Sequence, residues 1–307
     1  MSEAWQPSAA IETLLQRAHL LERTRAFFKE RGVVEVQTPT LDRYGVTDVA
    51  IENIVVPAYG YLQSSPEFHM KRLLAAGMPS CFQINPAFRA GETGRWHNPE
   101  FTMLEWYRLG FGLAELMAEV AALVDWLLGP AKVRSMTLGE LVLDAFGLNV
   151  YSPSEKAVRA VCRDEGLENP RDLHEAMDFL IERAIANLGI ERLFLTDYPS
   201  DQAALAKVAT RGGRRVALRF ELIVDGLEIA NGYDELRDVN EYQRRCKQDN
   251  DRRRLLGLPQ KLKNPLFEAA MAAGLPDCCG VAVGLDRLFA LALGKHGLHE
   301  VLAFTAS

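Results

Sequence analysis

Between Phe88 and Tyr107 the chain reads FRAGETGRWHNPEFTMLEWY, a stretch dense in side chains that could do chemistry. Arg89 opens it, Glu92, Asn98, Glu100 and Glu105 supply acids and an amide, and Phe101 and Tyr107 supply rings around a polar turn. A guanidinium makes paired, charge-assisted bonds to carboxylate or phosphate oxygens, and carboxylates receive an ammonium. The pattern therefore suits a ligand with an anion and a cation together: a zwitterion, or an amino acid beside a phosphate. From Phe101 onward the alternation predicts a strand with Phe101, Met103, Glu105 and Tyr107 on one face.

The elements that must position these residues are legible from periodicity and turn chemistry. Ala9 to Arg31 has helical apolar spacing through Ile11, Leu14, Leu15, Ala18, Leu21 and Phe28, and Gly32 stops it. Strands are expected at Val33–Val36, Ile51–Val56, Tyr59–Gln63, Cys81–Ile84 and Phe101–Tyr107, with a helix from Pro66 to Ala76. Helices follow at about Leu113–Leu128, Leu138–Phe146, Ser154–Glu165 and Leu173–Asn187, then a short strand at Leu193–Thr196. Val216–Val224 and Leu227–Ala230 flank Asp225-Gly226, a strong hairpin signal. A charged helix over Asp238–Leu256, a strand at Gly280–Val283 and a helix at Leu285–Leu293 complete the chain. Hairpins and helices come in runs without regular βαβ alternation, so the fold class is α+β with a mainly antiparallel sheet flanked by helices. The expectation is a single domain over 1–307 with a helical insertion at about 112–190.

The totals exclude several classes. A net charge of −6 argues against a broadly basic nucleic-acid surface, although Arg244 to Lys263 gathers eight basic residues against two acids. That run reads first as a solvated helix face and second as a docking surface for a protein partner. Five cysteines without a Cys-x-x-Cys pair fit a reducing cytoplasm. His296 and His299 gather no other ligand types and read as surface or helix-end residues. The N-terminus lacks a signal peptide, and Leu113–Leu128 is broken by Glu115, Glu119 and Asp125, so no membrane role is expected.

Three segments together resemble the signatures of class II aminoacyl-tRNA synthetases. KERGVVEVQTPTL (Lys29 to Leu41) has the helix–Gly–strand–Pro form of the first, Phe88 to Tyr107 that of the second, and GVAVGLDRL (Gly280 to Leu288) that of the third. SPEFHMKRLL, starting at Ser65, and EIANG, starting at Glu228, are similar to the lysine-specific branch. The resemblance covers nearly the whole chain and implies that family's catalytic fold and activation of a lysine-type amino acid by ATP.

Carried over position by position, the resemblance implies catalytic roles for Arg89 and Arg287, with Arg89 on the α-phosphate and the substrate carboxylate. Phe101 and Arg287 would sandwich adenine, while Gly91, His97, Asn98, Glu228, Ile229 and Gly284 complete the ATP contacts. Glu221 and Glu228 would hold Mg²⁺. Glu105, Tyr107 and Glu235 match the positions for the far amine, Glu67 with Ser65 the near amine, and Asn231 the substrate carboxylate. Burying an ammonium costs several kcal/mol unless carboxylates and hydroxyls meet it, so an acid-rich pocket is physically required.

Two positions depart from the lysyl pattern. The usual Arg-x-Glu becomes Arg89-Ala-Gly-Glu92, so the Gly91 backbone is the expected contact in place of the acid. Ala282 stands where a glycine is common, and its methyl is expected to reshape the near-amine end of the pocket in favour of a β-amino acid. About ten residues precede the first-signature helix, too few for the anticodon-binding domain of a lysyl-tRNA synthetase. The resemblance is thus to a stand-alone branch that attaches a lysine-type amino acid to elongation factor P, with a homodimer expected and tRNA an unlikely substrate. Two other readings stay open: a shortened synthetase charging tRNA, and a non-catalytic regulatory paralogue.

Overall fold

The computed structural model describes residues 5–306; Ser307 and the first four residues of the N-terminal segment read above lie outside the described residues. The chain begins α1 (Ile11–Glu30), β1 (Val34–Glu35), β2 (Leu41–Asp42), β3 (Val55–Val56), β4 (Gly60–Leu62), α2 (Glu67–Ala75), β5 (Cys81–Phe88), β6 (Glu100–Leu109) and α3 (Leu113–Leu128). It continues with β7 (Arg134–Thr137), α4 (Leu138–Phe146), α5 (Glu155–Asp164), α6 (Leu173–Leu188), β8 (Arg192–Pro199), β9 (Val208–Arg211), β10 (Arg214–Val224) and β11 (Leu227–Asp234). The last elements are α7 (Val239–Leu255), α8 (Pro265–Gly274), β12 (Cys278–Gly284) and α9 (Leu285–Ala292). Two compact units result, Met1–Pro130 with Glu235–Ser307, and Ala131–Asp234. Both are α+β with mainly antiparallel strand pairing.

In the first unit β1 runs parallel to β5, and β5, β6 and β12 pair antiparallel. The two faces of β6 have different tasks. Trp106 points toward α3, where its indole donates to Glu119 at 3.0 Å and its ring meets Phe28 of α1 edge-on at 5.1 Å. Glu119, which interrupts the apolar stripe of α3, is therefore a buried partner and not a solvated acid. The odd-numbered face carries Glu105 and Tyr107. On α1 the buried residues are Thr13, Leu20, Thr24, Phe27 and Phe28, so the inward stripe differs from the expected one. Ile11 and Leu15 stay 62% and 61% exposed.

In the second unit β8 and β10 pair antiparallel, as do β10 and β11, with β7 parallel to β8 and β9 returning onto β10. Helices α4, α5 and α6 close over Leu138, Leu141, Leu180 and Leu195. Asp225 and Gly226 both have positive φ, 49° and 78°, the backbone a two-residue hairpin turn of primed type requires. All five cysteines are buried and free. Among the described residues no helix is long and apolar enough to cross a membrane.

Candidate active site

The first unit gathers most of the expected site residues on β6, β12, α2 and the segment after β11. Ser65 precedes α2 and works in two directions: its Oγ accepts from the Glu67 backbone N–H at 3.0 Å and donates to Glu105 Oε2 at 2.6 Å. The Tyr107 hydroxyl donates to the other oxygen, Oε1, of Glu105 at 2.5 Å. Gln83 faces Glu105 across the β5–β6 ladder and accepts from the Thr38 hydroxyl at 3.0 Å. Ala282 faces Glu105 from the other side, on β12. The expectation set Ala282 at the near-amine end; its ladder partner is a residue assigned to the far amine.

The largest addition to the sequence reading is Lys71. It has no exposed surface, and its Nζ lies 2.5 Å from Glu67 Oε1 and 2.5 Å from Glu235 Oε2. Glu67 and Lys71 are one helical turn apart, a spacing visible in the sequence but ordinary on a solvated helix. Burial of Lys71 makes the pair one edge of a cluster of acids. Gly280 is the second addition, because a Cβ there would overlap both the Tyr107 ring and the Glu235 carboxylate. Phe267, on the unforeseen helix α8, stacks on Phe68 at 4.7 Å and brings its ring 5.9 Å from Lys71 Nζ. Asn264-Pro265 was the signal for α8: Asn264 caps the helix through Leu266 and Phe267 N–H, and proline fits the first turn.

Electrostatics follow from burial. Removal from water, reinforced by the charge of Glu67, pushes Glu105 up to about 7. Burial likewise raises Glu235 to about 8, even with Lys71 against it. Lys71 moves the other way to its burial penalty, held charged by Glu235 and Glu67. A pocket of three acids and one internal cation has spare negative charge for a cationic ligand.

At the nucleotide end, Arg89 keeps a buried Nε–H without a hydrogen-bond partner, and its Nη1 is only loosely held by Glu92 at 3.5 Å. Its guanidinium stands 5.1 Å from the Phe101 ring centre. Those unspent donors fit an anion such as a phosphate. Arg287 donates through Nε to Trp96 O at 3.0 Å, and its Nη2 lies 2.8 Å from His97 Nε2. Gly284 is the N-cap of α9 and lies opposite Met103. Gly91 has φ +79° in open space beside the Arg89 turn. Asn98, expected among the ATP contacts, also braces its own loop. Its amide donates to Glu100 O at 2.5 Å and accepts from Ala306 N–H at 2.9 Å.

In the second unit, Glu221, Asn231, Glu228 and Arg219 share one face of the β10–β11 hairpin. Glu228 and Asn231 are three residues apart, which in a regular strand would put them on opposite faces. A register shift resolves this: Leu222 pairs Ala230 and Ile223 pairs Glu228, leaving Ile229 as a bulge. Glu221 pairs Asn231, whose Nδ2 is 3.4 Å from Glu221 Oε1, and Arg219 forms an ion pair with Glu221. Asn231 Oδ1 is buried without a hydrogen-bond partner. Two carboxylates and an unpartnered amide oxygen are hard oxygen donors of the kind Mg²⁺ takes. Among the described residues no three of the His, Cys, Asp or Glu type gather as a self-sufficient metal cage.

The basic run after Arg244 is largely spent on structure. Arg253 is fully buried, donating to Pro259 O at 2.6 Å, Asp48 O at 3.1 Å and Glu52 Oε2 at 2.8 Å. Lys261 is buried against Asn53 Oδ1 and Glu52, and Arg245 donates to Glu241. Only part of the run, such as Arg244 and Arg254, faces solvent, and both already pair with acids three residues away.

An antiparallel sheet with the second-signature strand at the pocket wall and the third-signature strand beside it defines a class II synthetase catalytic unit. The chain belongs to that family: the model of the class II tRNA synthetases (D, K and N) matches residues 5–307. Among curated relatives, the elongation factor P–(R)-beta-lysine ligases of Salmonella typhi and Salmonella dublin are each 42% identical to it, with 99% of both chains covered. The counterpart in Salmonella gallinarum matches at the same identity and coverage.

Proposed function

We propose that this chain is an ATP-dependent ligase that activates (R)-β-lysine as its adenylate and transfers it to a lysine side chain of elongation factor P. The observation that carries the reading is the convergence of Glu67, Glu105 and Glu235 with Tyr107 in one buried, acid-rich pocket, in a chain matched end to end by ligases of that name. A diamino acid needs carboxylates for both ammonium groups, and this pocket supplies them. Full-length similarity to those ligases also favours a protein acceptor over tRNA.

In the first step a substrate carboxylate oxygen attacks the α-phosphorus of ATP and the bond to pyrophosphate breaks. Two anions must approach, so the chain contributes positioning and charge neutralisation. Arg89 receives the α-phosphate and carboxylate oxygens, and Phe101 with Arg287 holds the adenine. Within the first unit Gly91, His97 and Gly284 would line the nucleotide's path, and Asn98 shapes the loop that presents His97. In the second step the acceptor amine attacks the acyl carbon, AMP leaves with the bonding pair, and the amine's proton passes to solvent.

Glu221 and Glu228 would hold Mg²⁺, whose contribution when bound is to neutralise phosphate charge. The chain acts as a homodimer through α1, whose exposed Ile11 and Leu15 form an apolar stripe in need of cover. ATP–pyrophosphate exchange tests the first step: (R)-β-lysine should support exchange, and exchange with no diamino acid would defeat the reading.

A further inference from the structure

Lys71 is a cation that the chain supplies to its own pocket. It lies on α2 one turn beyond Glu67, without exposed surface, and its Nζ bridges Glu67 Oε1 and Glu235 Oε2 at 2.5 Å each. The Tyr107 and Phe267 rings stand 5.9 Å from the same nitrogen. Each carboxylate gives Lys71 one oxygen and keeps the other. Counting formal charges, Glu67, Glu105 and Glu235 bring three negatives and Lys71 one positive, so the fully ionised pocket carries two negatives. A ligand with two ammonium groups matches that charge. Without the internal cation, the two fully buried acids, Glu105 and Glu235, would be driven further toward their protonated forms.

Resting on the reading of this pocket as a diamino-acid site, we propose that Lys71 is a positioning residue. It fixes the spacing of Glu67 and Glu235, and so sets the preference for a ligand with two ammonium groups. The titratable groups facing it are Glu67 on α2, Glu105 and Tyr107 on β6, and Glu235 after β11, with Cys81 of β5 beside Glu105. Phe267 closes the α8 side without charge.

The test is K71M in the full chain, assayed by ATP–pyrophosphate exchange with (R)-β-lysine and with norleucine, which lacks the second ammonium. Relative to the unsubstituted chain, KM for (R)-β-lysine should rise roughly 10-fold or more near pH 7 and recover toward about pH 9 as the acids ionise. The change in kcat should be smaller, and discrimination against norleucine should narrow. A KM–pH profile parallel to that of the unsubstituted chain overturns the inference. If K71M does not fold, K71M/E67Q removes one acid along with the cation and keeps two formal negatives. Its profile should then keep the unsubstituted shape even though KM stays raised, and a displaced profile overturns the inference. Absence of exchange by the unsubstituted chain with any diamino acid instead defeats the functional reading, and the inference falls with it.

Discussion

Gly280 lies directly across the β6–β12 ladder from Tyr107, and the missing side chain is what lets the Tyr107 ring and the Glu235 carboxylate lie side by side. A methyl at this position would overlap both. Neither neighbour can yield cheaply, since Tyr107 is tied to Glu105 and Glu235 to Lys71. G280A should therefore cost about 1–3 kcal/mol of stability by overpacking and raise KM for the amino acid well above that for ATP. Thermal melts and substrate-saturation curves check this; an unchanged KM would show that the pocket does not run along this face.

Glu105 gives a pH signature. Its folded pKa of about 7 exceeds the 4.5 of a free glutamate, so the folded chain holds a proton there that the unfolded chain has lost. Stability contributed at Glu105 is therefore present below about pH 4.5 and declines as pH rises to about 7, by on the order of 3 kcal/mol. E105Q should remove that decline. Denaturant midpoints across this range for both chains measure it, and identical slopes would contradict a buried, protonated Glu105.

Glu228 is the better probe of the metal assignment, because Glu221 is the ion-pair partner of Arg219 and its loss would strand a half-buried guanidinium. E228Q should abolish most of the Mg²⁺-dependent gain in ATP affinity, roughly 10-fold or more, and leave metal-free nucleotide binding intact. Calorimetric titration with and without Mg²⁺ distinguishes this from a general loss of nucleotide binding.

Ala282 faces Glu105, which places its methyl against the residue proposed to meet the substrate amine. A282G should shift the ratio of exchange rates from (R)-β-lysine toward α-lysine by about 10-fold, the scale of one methyl in a packed site. An unchanged ratio would remove Ala282 as a selector of the isomer.

Legibility in the sequence followed local chemistry. Helices at Leu113–Leu128 and Leu138–Phe146 match their expected bounds because apolar period and capping residues agree there. The four-residue strand β7 was missed because Arg-Ser-Met-Thr has no apolar alternation. Site residues on the signature segments could be carried over one by one, whereas Lys71 could not: its i,i+4 spacing from Glu67 looks the same on a wet helix as in a dry pocket. The same blindness made Arg253 and Lys261 look like surface charge, although tertiary packing around Glu52 buries them. The bulge at Ile229 was also hidden, since alternation alone sets Glu228 and Asn231 on opposite faces.

Intact mass measurement of elongation factor P reads out transfer to a protein amine. After incubation with the enzyme, ATP, Mg²⁺ and (R)-β-lysine, the factor should gain the mass of one β-lysyl group, and the gain should vanish when its acceptor lysine is replaced. An unmodified factor in a reaction that forms adenylate would contradict the account.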